Sequence, residues 1–198
     1  MRHRFMLVLF IFLIRAAVLA AGEINFETDI EFSNPDDQHL KLNMASPKDG
    51  DGPFPTVVCI HGGGFRAGKR EGHDGTCKKL AARGYVAITV TYRLAPKYQF
   101  PAAVYDVKAA VRFLRANAAK YKIDPQRIAA WGDSAGGHLA LFLGVTGDVK
   151  DFEGPGEIRS SQAQCNASSV IMVRATSHSH TAKAKTPRKC CPCFSAAT

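Results

Sequence analysis

Short apolar runs that alternate with helical patterns are the feature that most constrains the fold of this chain. Runs typical of strands buried on both faces occur at residues 56–60, 85–91 and 127–131. Patterns with apolar residues at helical spacing separate them, at residues 72–83 and 102–121. Strands that alternate with helices pair in parallel through right-handed crossovers. The sequence therefore predicts an α/β fold built on a mostly parallel sheet.

Two stretches of alternating polar and apolar residues precede that segment. They cover residues 24–32 and 39–44, and the turn-forming residues 34–37 lie between them. This pattern is typical of an antiparallel hairpin with one covered face, and we expect it at an edge of the sheet. An apolar helical pattern over residues 139–145 follows the last predicted strand.

The composition fits one folded domain, but the charge is unevenly distributed. The chain has 198 residues, of which 46% are hydrophobic, and this excludes collagenous, low-complexity and polytopic membrane proteins. A formal net charge of +9 is typical of nucleic-acid binding, but the basic excess lies in residues 1–22 and 156–198. The segment 23–155 is nearly balanced in charge. We therefore expect no nucleic-acid partner.

The first 22 residues have the pattern of a secretory signal peptide. A short basic start precedes an apolar run at residues 5–14, which is too short to span a membrane, and residues 16–22 are mostly small. We expect cleavage of this segment, no stable membrane span afterwards, and a secreted or periplasmic protein. An uncleaved membrane anchor is the alternative, because Arg15 interrupts the apolar stretch.

A run of three glycines, Gly62, Gly63 and Gly64, follows the predicted strand 56–60 and its neighbour His61. Glycine adopts backbone conformations that are closed to residues with a Cβ, and such a run leaves main-chain N–H groups free to point at one small volume. Converging N–H groups stabilise the oxyanion that forms in acyl transfer. By itself, however, a glycine triplet is also typical of a flexible loop.

A second glycine motif, G-x-S-x-G at residues 132–136, lies between the predicted strand 127–131 and the helical pattern 139–145. Glycines on both sides of Ser134 permit the sharp turn that exposes a nucleophilic serine, and the N–H of Ala135 is a further oxyanion donor. The motif also occurs by chance. Because both glycine motifs follow predicted strands in the order that serine catalysis needs, we interpret them together as a catalytic site.

With these motifs the chain resembles the α/β-hydrolase superfamily, and within it the esterase and lipase group related to hormone-sensitive lipase. That group includes secreted bacterial esterases and domains similar to acetylxylan or feruloyl esterases. The resemblance covers residues 24–155. It rests on four motifs in the order of the family, at residues 61–65, 92–106, 124–128 and 132–137.

The resemblance implies a carboxylic-ester hydrolase with Ser134 as the nucleophile and no cofactor. Its substrate is then a small-molecule or polysaccharide-linked ester. The implied oxyanion hole consists of main-chain N–H groups, those of Gly63, Gly64 and Ala135. Supporting positions near the serine are implied at His61, Gly62, Tyr92, Asp106 and Asp133.

The acid and the histidine of a catalytic triad have no clear candidates in this sequence. In the family both follow the nucleophile on loops after later strands, and His178 and His180 have neither a preceding strand nor a suitable acid. We expect a partial domain over residues 23–155, truncated after the nucleophile helix, and an impaired enzyme. The alternatives are a non-catalytic ester- or carbohydrate-binding module and an inactive fragment.

Residues 156–198 lose the periodicity of the preceding segment and become rich in Ser, Thr, Ala, Lys and Cys. This change predicts an unstructured basic tail, translated out of frame. The cysteine cluster at residues 190–193 lacks paired C-x-x-C spacing and a histidine, so we expect no metal site. Cys59 lies in an apolar strand pattern, and we expect a buried thiol there rather than a disulfide with Cys77.

Overall fold

The structure, a computed structural model, describes residues 22–147 and 149–154 and the backbone of residues 172–174. Nearly all of the segment predicted as a hydrolase domain, 23–155, is therefore described. The predicted signal peptide and most of the predicted tail, with its cysteines and histidines, lie outside the described residues.

The described strands form a single six-stranded sheet. They are β1 (Ile24–Ser33), β2 (Leu40–Pro47), β3 (Phe54–Ile60), β4 (Val86–Val90), β5 (Ile123–Asp133) and β6 (Met172–Arg174). Their order in space is β1-β2-β4-β3-β5-β6. β2 runs antiparallel to β1 and to β4, and the pairs β3/β4, β3/β5 and β5/β6 are parallel. The predicted mostly parallel sheet with an antiparallel edge hairpin is confirmed.

Three described α-helices cover the two faces of this sheet. They are α1 (Asp74–Ala81), α2 (Ala102–Ala116) and α3 (Ala135–Val145). Each lies where the sequence predicts a helix, but the bounds differ. α2 ends before residue 121 because Asn117, directly after Ala116, leaves the helical conformation with φ −107° and ψ 19°. α3 begins earlier than predicted because its first turn is formed by the glycine motif itself.

The sheet separates two hydrophobic cores because successive residues of a strand face opposite sides. In β3, Val58 and Ile60 belong to the larger core, which α2 and α3 cover, whereas Cys59 belongs to a smaller core beside α1. Burial of each large aliphatic side chain in the larger core stabilises the fold by about 1.5–3 kcal/mol. The smaller core contains only small fully buried side chains, those of Ala45, Cys59, Cys77, Ala81 and Ala87.

Two cysteine thiols meet in the smaller core. Cys59 and Cys77 are both buried and free, which confirms the expectation of a buried thiol at Cys59. A hydrogen bond with Cys59 and burial both raise the pKa of the Cys77 thiol. The thiol of Cys77 is therefore protonated at neutral pH, and the pair contributes to packing.

The carboxyl ends of β3 and β5 meet at one edge of the sheet. The two strands pair in parallel, and Ile60 is level with Gly132 where their register ends. The loop that follows Ile60 therefore begins beside the turn that follows Gly132. This register brings the two glycine motifs together, although they are far apart in the sequence.

β6 lies in the segment that the sequence predicts to be an unstructured tail after a truncated fold. Instead, the backbone of residues 172–174 pairs in parallel with β5, and Val173 is level with Gly132. Without β6 this edge of β5 would leave N–H and C=O groups unpaired, and the backbone of residues 172–174 pairs with part of it. The described fold thus continues by one strand beyond α3.

Candidate active site

Ser134 alone connects β5 to α3. The strand ends at Asp133 and the helix begins at Ala135, so the serine turns the chain, with φ 49° and ψ −116°. A positive φ is rare for a residue with a side chain and stores roughly 1–3 kcal/mol of strain, which the surrounding structure must hold. Ser134 is exposed at the carboxyl edge of the sheet. The G-x-S-x-G spacing predicts this geometry for a nucleophile.

Two glycines make this turn sterically allowed. A Cβ on Gly136 would lie 2.1 Å from the carbonyl oxygen of Ile60, and a Cβ on Gly132 would lie 2.4 Å from the carbonyl carbon of Gly136. Both distances are far inside van der Waals contact with backbone atoms that cannot move aside. The turn, and with it the exposure of Ser134, therefore requires glycine at both positions.

The loop after β3 is a tight turn with unused N–H groups. Gly63 and Gly64 have φ values of 120° and 61°, and the Gly63 carbonyl accepts hydrogen bonds from the N–H groups of Arg66 and Ala67, both at 3.1 Å. In the part of the chain that the structure describes, the N–H groups of Gly63, Gly64 and Ala135 donate to no other group. Unused donors thus occupy both segments at this edge of the sheet.

One carboxylate oxygen ties the two segments together. Oδ1 of Asp133 accepts a hydrogen bond from the Gly62 N–H at 3.0 Å and another from Nε2 of His73 at 2.8 Å. Gly62 lies so close to this carboxylate that a Cβ would be 2.5 Å from Oδ2. The residue before the serine therefore holds the glycine loop beside it.

His61 is a buried residue at the start of the glycine loop. Its Nδ1 donates to the Gly62 carbonyl at 2.7 Å, and its ring stacks on Tyr92 with the centroids 4.3 Å apart. The Tyr92 hydroxyl donates to the His61 carbonyl at 2.9 Å. Burial lowers the pKa of His61, so the ring is neutral at pH 7, and burial raises the pKa of Tyr92. The two side chains brace the start of the loop.

Asp106 braces the segment after β4. It is buried on α2 and accepts hydrogen bonds from the Arg93 main-chain N–H at 2.8 Å and from the Arg93 guanidinium at 2.9–3.1 Å. Burial raises the pKa of Asp106, and the bonds to Arg93 oppose that increase. Arg93 also pairs with Asp36, in the turn between β1 and β2. The ion pairs thus connect α2 and the edge hairpin to the chain beside Tyr92.

A pocket of about 420 Å³ opens beside the serine. Ser134 lines one end of it, and Phe142 is held there by edge-on contacts with Phe100 and Phe152. The remaining lining residues all lie on one face of α3, at His138, Leu141 and Val145. The pocket is therefore mostly apolar and suits the hydrocarbon part of a small organic molecule.

The described residues contain no group of three His, Cys, Asp or Glu side chains arranged to bind a metal ion. No described helix has the length and apolar character needed to cross a membrane. Within the same residues, the hydroxyl of Ser134 makes no hydrogen bond. The arrangement presents an exposed hydroxyl group beside free N–H donors and an apolar pocket.

A known protein family matches both glycine motifs and the sheet from β2 onward, but not β1. The BD-FAE family matches residues 42–186, which is most of the chain. The chain belongs to the BD-FAE family. The match begins within β2 and includes every residue at the turn and in the glycine loop.

Several curated proteins similar to the BD-FAE chain are named as ester hydrolases. Esterase LipI of Mycobacterium tuberculosis is 40% identical over 102 residues, covering 51% of this chain and 31% of that protein. Ethyl acetate hydrolase of Pseudomonas putida is 36% identical over 126 residues, covering 62% and 40%. Neutral cholesterol ester hydrolase 1 of Mus musculus is 37% identical over 122 residues, covering 59% and 29%. The chain thus spans about a third of the length of these relatives.

Solved structures agree on the fold. The thermophilic esterase Est2 of Thermogutta terrifontis superposes with a TM-score of 0.64 at 31% identity, over 75% of this chain and 52% of that one. The butyrate-bound form of Est2 gives the same TM-score. These likenesses confirm the predicted α/β-hydrolase fold and the resemblance to esterases. The BD-FAE chain spans about half of Est2.

The sequence predicts the residues of both glycine motifs but not His73 or the pocket face of α3. His73 falls at the start of the predicted helix 72–83, and a helical pattern carries no information about a partner on another strand. The only signal is its place shortly after the glycine loop. The sequence does not indicate which face of α3 lines the pocket. The helix is apolar on nearly all sides, so its pattern does not distinguish the buried face from the exposed one.

Proposed function

We propose that this BD-FAE chain carries the nucleophile and the oxyanion donors of a carboxylic-ester hydrolase. One observation carries the proposal: Ser134 is exposed on a left-handed turn between a strand and a helix. The unused N–H groups of Gly63, Gly64 and Ala135 support it. The names of the esterase relatives favour the same reaction. The substrate is a small-molecule or polysaccharide-linked ester, and the reaction uses no cofactor.

In the proposed mechanism, Oγ of Ser134 attacks the carbonyl carbon of the ester while a histidine base takes its proton. The carbonyl oxygen becomes an oxyanion, which the N–H groups of Gly63, Gly64 and Ala135 stabilise together with the N-terminal end of α3. The alcohol then leaves with the proton, and water hydrolyses the acyl-enzyme. Removal of one such donor lowers kcat by roughly 10²–10³ in other serine hydrolases.

The base is the part of this mechanism that the described residues do not supply. The Ser134 hydroxyl bonds to none of them, and Nδ1 of His61 and Nε2 of His73 each already donate elsewhere. In the family the acid and the histidine follow later in the chain. Without such a base the serine keeps its high pKa, and we propose impaired turnover in that case.

Five residues support the site without contact to the ester in this proposal. Asp133 and Gly62 hold the loop against the turn, and His61 and Tyr92 brace the start of the loop. Asp106 fixes the segment after β4 through Arg93. Their substitution acts on the alignment of donors and nucleophile.

Two measurements test the proposal: the rate of ester hydrolysis and the covalent modification of Ser134. The purified chain is assayed on p-nitrophenyl acetate and butyrate, and it is also treated with a fluorophosphonate, whose phosphorus bonds to Oγ as fluoride leaves. We expect the modification on Ser134 and a hydrolysis rate at least roughly tenfold above that of Ser134→Ala, because only the wild type can form the acyl-enzyme, whereas the residual catalysis by oxyanion donors and binding is the same in both proteins.

Ser46→Ala is the matched control, since Ser46 lies in β2 away from the turn. This variant should retain the wild-type rate. Equal hydrolysis by wild type and Ser134→Ala, with no modification of Ser134, would contradict the proposed reaction.

Ester binding without turnover is a second candidate, because the Ser134 hydroxyl bonds to no described residue while the apolar pocket is open. A non-hydrolysable ester analogue should then raise Tm equally for wild type and Ser134→Ala. A Tm that does not respond to the analogue would exclude this candidate.

We also propose that residues 1–22 direct export, which the basic start and short apolar run support. Expression in a bacterial host and mass measurement of the periplasmic product test this. The expected product begins at about residue 23, and an intact N-terminus in the cytoplasmic fraction would refute it.

A further inference from the structure

The side chain of His73 contacts two residues of β5, Trp131 and Asp133. It lies in a 3₁₀ turn over Arg70–His73, directly before α1. Its ring packs edge-on against Trp131 with the centroids 4.7 Å apart, and its Nε2 lies 2.8 Å from Oδ1 of Asp133. The side chain is largely buried, with 16% of its area exposed. Both contacts point across the sheet edge toward the end of β5.

The acceptor of this bond is the oxygen that already holds the glycine loop. Oδ1 of Asp133 receives the Gly62 N–H at 3.0 Å as well as the His73 bond. A carboxylate only accepts hydrogen bonds, so Nε2 of His73 carries the hydrogen. A second donor on the same oxygen fixes the rotation of the carboxylate, since either bond alone leaves the side chain free to turn.

We propose that His73 is a positioning residue for the oxyanion loop. By fixing the Asp133 carboxylate, it keeps Gly62 in place, and with it the following N–H groups of Gly63 and Gly64. The effect on reaction rate rests on the proposed ester hydrolysis, whereas the effect on the loop does not. His73 touches neither the nucleophile nor the ester, and it acts through the carboxylate next to Ser134.

The alternative is that His73 only fills space against Trp131. Two substitutions separate the roles. His73→Phe keeps an aromatic ring for the edge-on contact and removes the N–H, whereas His73→Gln keeps an N–H at nearly the position of Nε2 and removes the ring. A positioning role is rescued by glutamine, and a packing role is rescued by phenylalanine.

The rate of fluorophosphonate modification of Ser134 is the first readout, because it depends on the alignment of nucleophile and donors and needs no turnover. We expect a rate roughly tenfold lower for His73→Phe and within roughly threefold of wild type for His73→Gln, since small misalignments of oxyanion donors have effects of this order or larger.

Hydrogen exchange is the second readout and is independent of activity. The Gly62 amide should exchange at least roughly tenfold faster in His73→Phe, because the Asp133 carboxylate is then free to rotate away from the Gly62 N–H, and at the wild-type rate in His73→Gln. If wild type shows no modification of Ser134, the proposed function fails, but the exchange rates still test the role of His73.

Preserved rates and exchange in His73→Phe would overturn the proposal, and so would loss in His73→Gln with retention in His73→Phe. If His73→Phe does not fold, His73→Asn replaces it, because its amide is too short to reach Asp133 but matches glutamine in polarity. Wild-type exchange of Gly62 in His73→Asn would then also overturn the proposal.

Discussion

The absence of a side chain at Gly136 is required for the geometry of this site. Its missing side chain lets the first turn of α3 contact the end of β3, where a Cβ would lie 2.1 Å from the Ile60 carbonyl oxygen. The atoms in conflict belong to a central strand that pairs on both sides. Relief therefore requires movement of the helix that follows Ser134, so the geometry of the turn and the stability of the fold depend on the same residue.

Gly136→Ala should lower the free energy of unfolding by about 3 kcal/mol, at the upper end of the overpacking range. The control is Gly75→Ala in α1, where a Cβ meets nothing within 4 Å. That change should be neutral or stabilising by about 0.4–1 kcal/mol. Urea unfolding of both variants measures the difference, and similar midpoints would show that the close approach is not as tight as described.

His61 makes stability depend on pH. Burial lowers its pKa below 6.5 in the folded chain, whereas the unfolded chain takes up the proton near 6.5. Stability is therefore fully present above that pH and falls as the pH drops below about 6.5, because protonation then favours the unfolded state. His61→Asn, which keeps a donor for the Gly62 carbonyl, should show a shallower decrease between pH 7 and 5.5 in urea unfolding. The same slope in both proteins would contradict this role.

The sequence predicts the residues of this site better than their connections. Glycine spacing identifies the turn at Ser134 and the loop at residues 62–64, because a Cβ would collide with neighbouring atoms at most of these glycines. The bond between His73 and Asp133 was not predictable, since it joins residues on separate elements and no local pattern encodes it. Side-chain partners of this kind depend on the relative placement of elements.

At the scale of elements, a buried cation holds the end of α3 to α2. Lys108 is fully buried, and its Nζ donates to the Thr146 carbonyl at 2.7 Å and to Oε1 of Glu153 at 2.6 Å. Arg112, one turn further along α2, donates to Oε2 of Glu153 at 3.1 Å. These bonds satisfy a carbonyl at the C-terminal end of the helix that begins behind the serine.

Lys108→Met should lower the free energy of unfolding by about 2 kcal/mol. Removal of one partner of a fully buried pair costs about 3–5 kcal/mol, and the expected loss is smaller because the Glu153 side chain remains 31% exposed. Lys79→Met, at an exposed position on α1, is the control and should change stability by less than about 0.5 kcal/mol. Comparable losses in both variants, measured by urea unfolding, would argue against the buried bonds.

The sequence predicts where most helices and strands lie, but it does not predict all of the residues at which they begin and end. Strand β5 begins at Ile123 rather than near Arg127, because Ile123 pairs with Phe54 before an irregularity in the register. Periodicity does not detect such an extension, since Pro125 and the polar residues around it interrupt the apolar run. β6 was missed because its length is too short for a periodic signal.

At the scale of the molecule, the two cores share one sheet and should unfold together. Trp131, the sole tryptophan of the chain, packs against the smaller core beside α1. Val107 is buried in the larger core on the opposite face. A side chain that contributes only to one core should therefore affect a signal from the other.

Urea unfolding followed by Trp131 fluorescence and by far-ultraviolet circular dichroism should give coincident transitions. Val107→Ala should lower stability by about 2 kcal/mol and move both transitions equally. A shift of the circular dichroism transition alone would mean that the two faces unfold independently.

The order of strands in the sheet has a consequence for synthesis on the ribosome. β3 is translated before both of its neighbours, β4 and β5, because the hairpin at the edge pairs with β4 instead. At roughly 5–20 residues per second, the interval between β3 and β5 is on the order of seconds. During that time the glycine loop and an apolar strand are present without the serine turn that completes them. We therefore expect nascent chains of this length to expose an apolar strand that chaperones can bind.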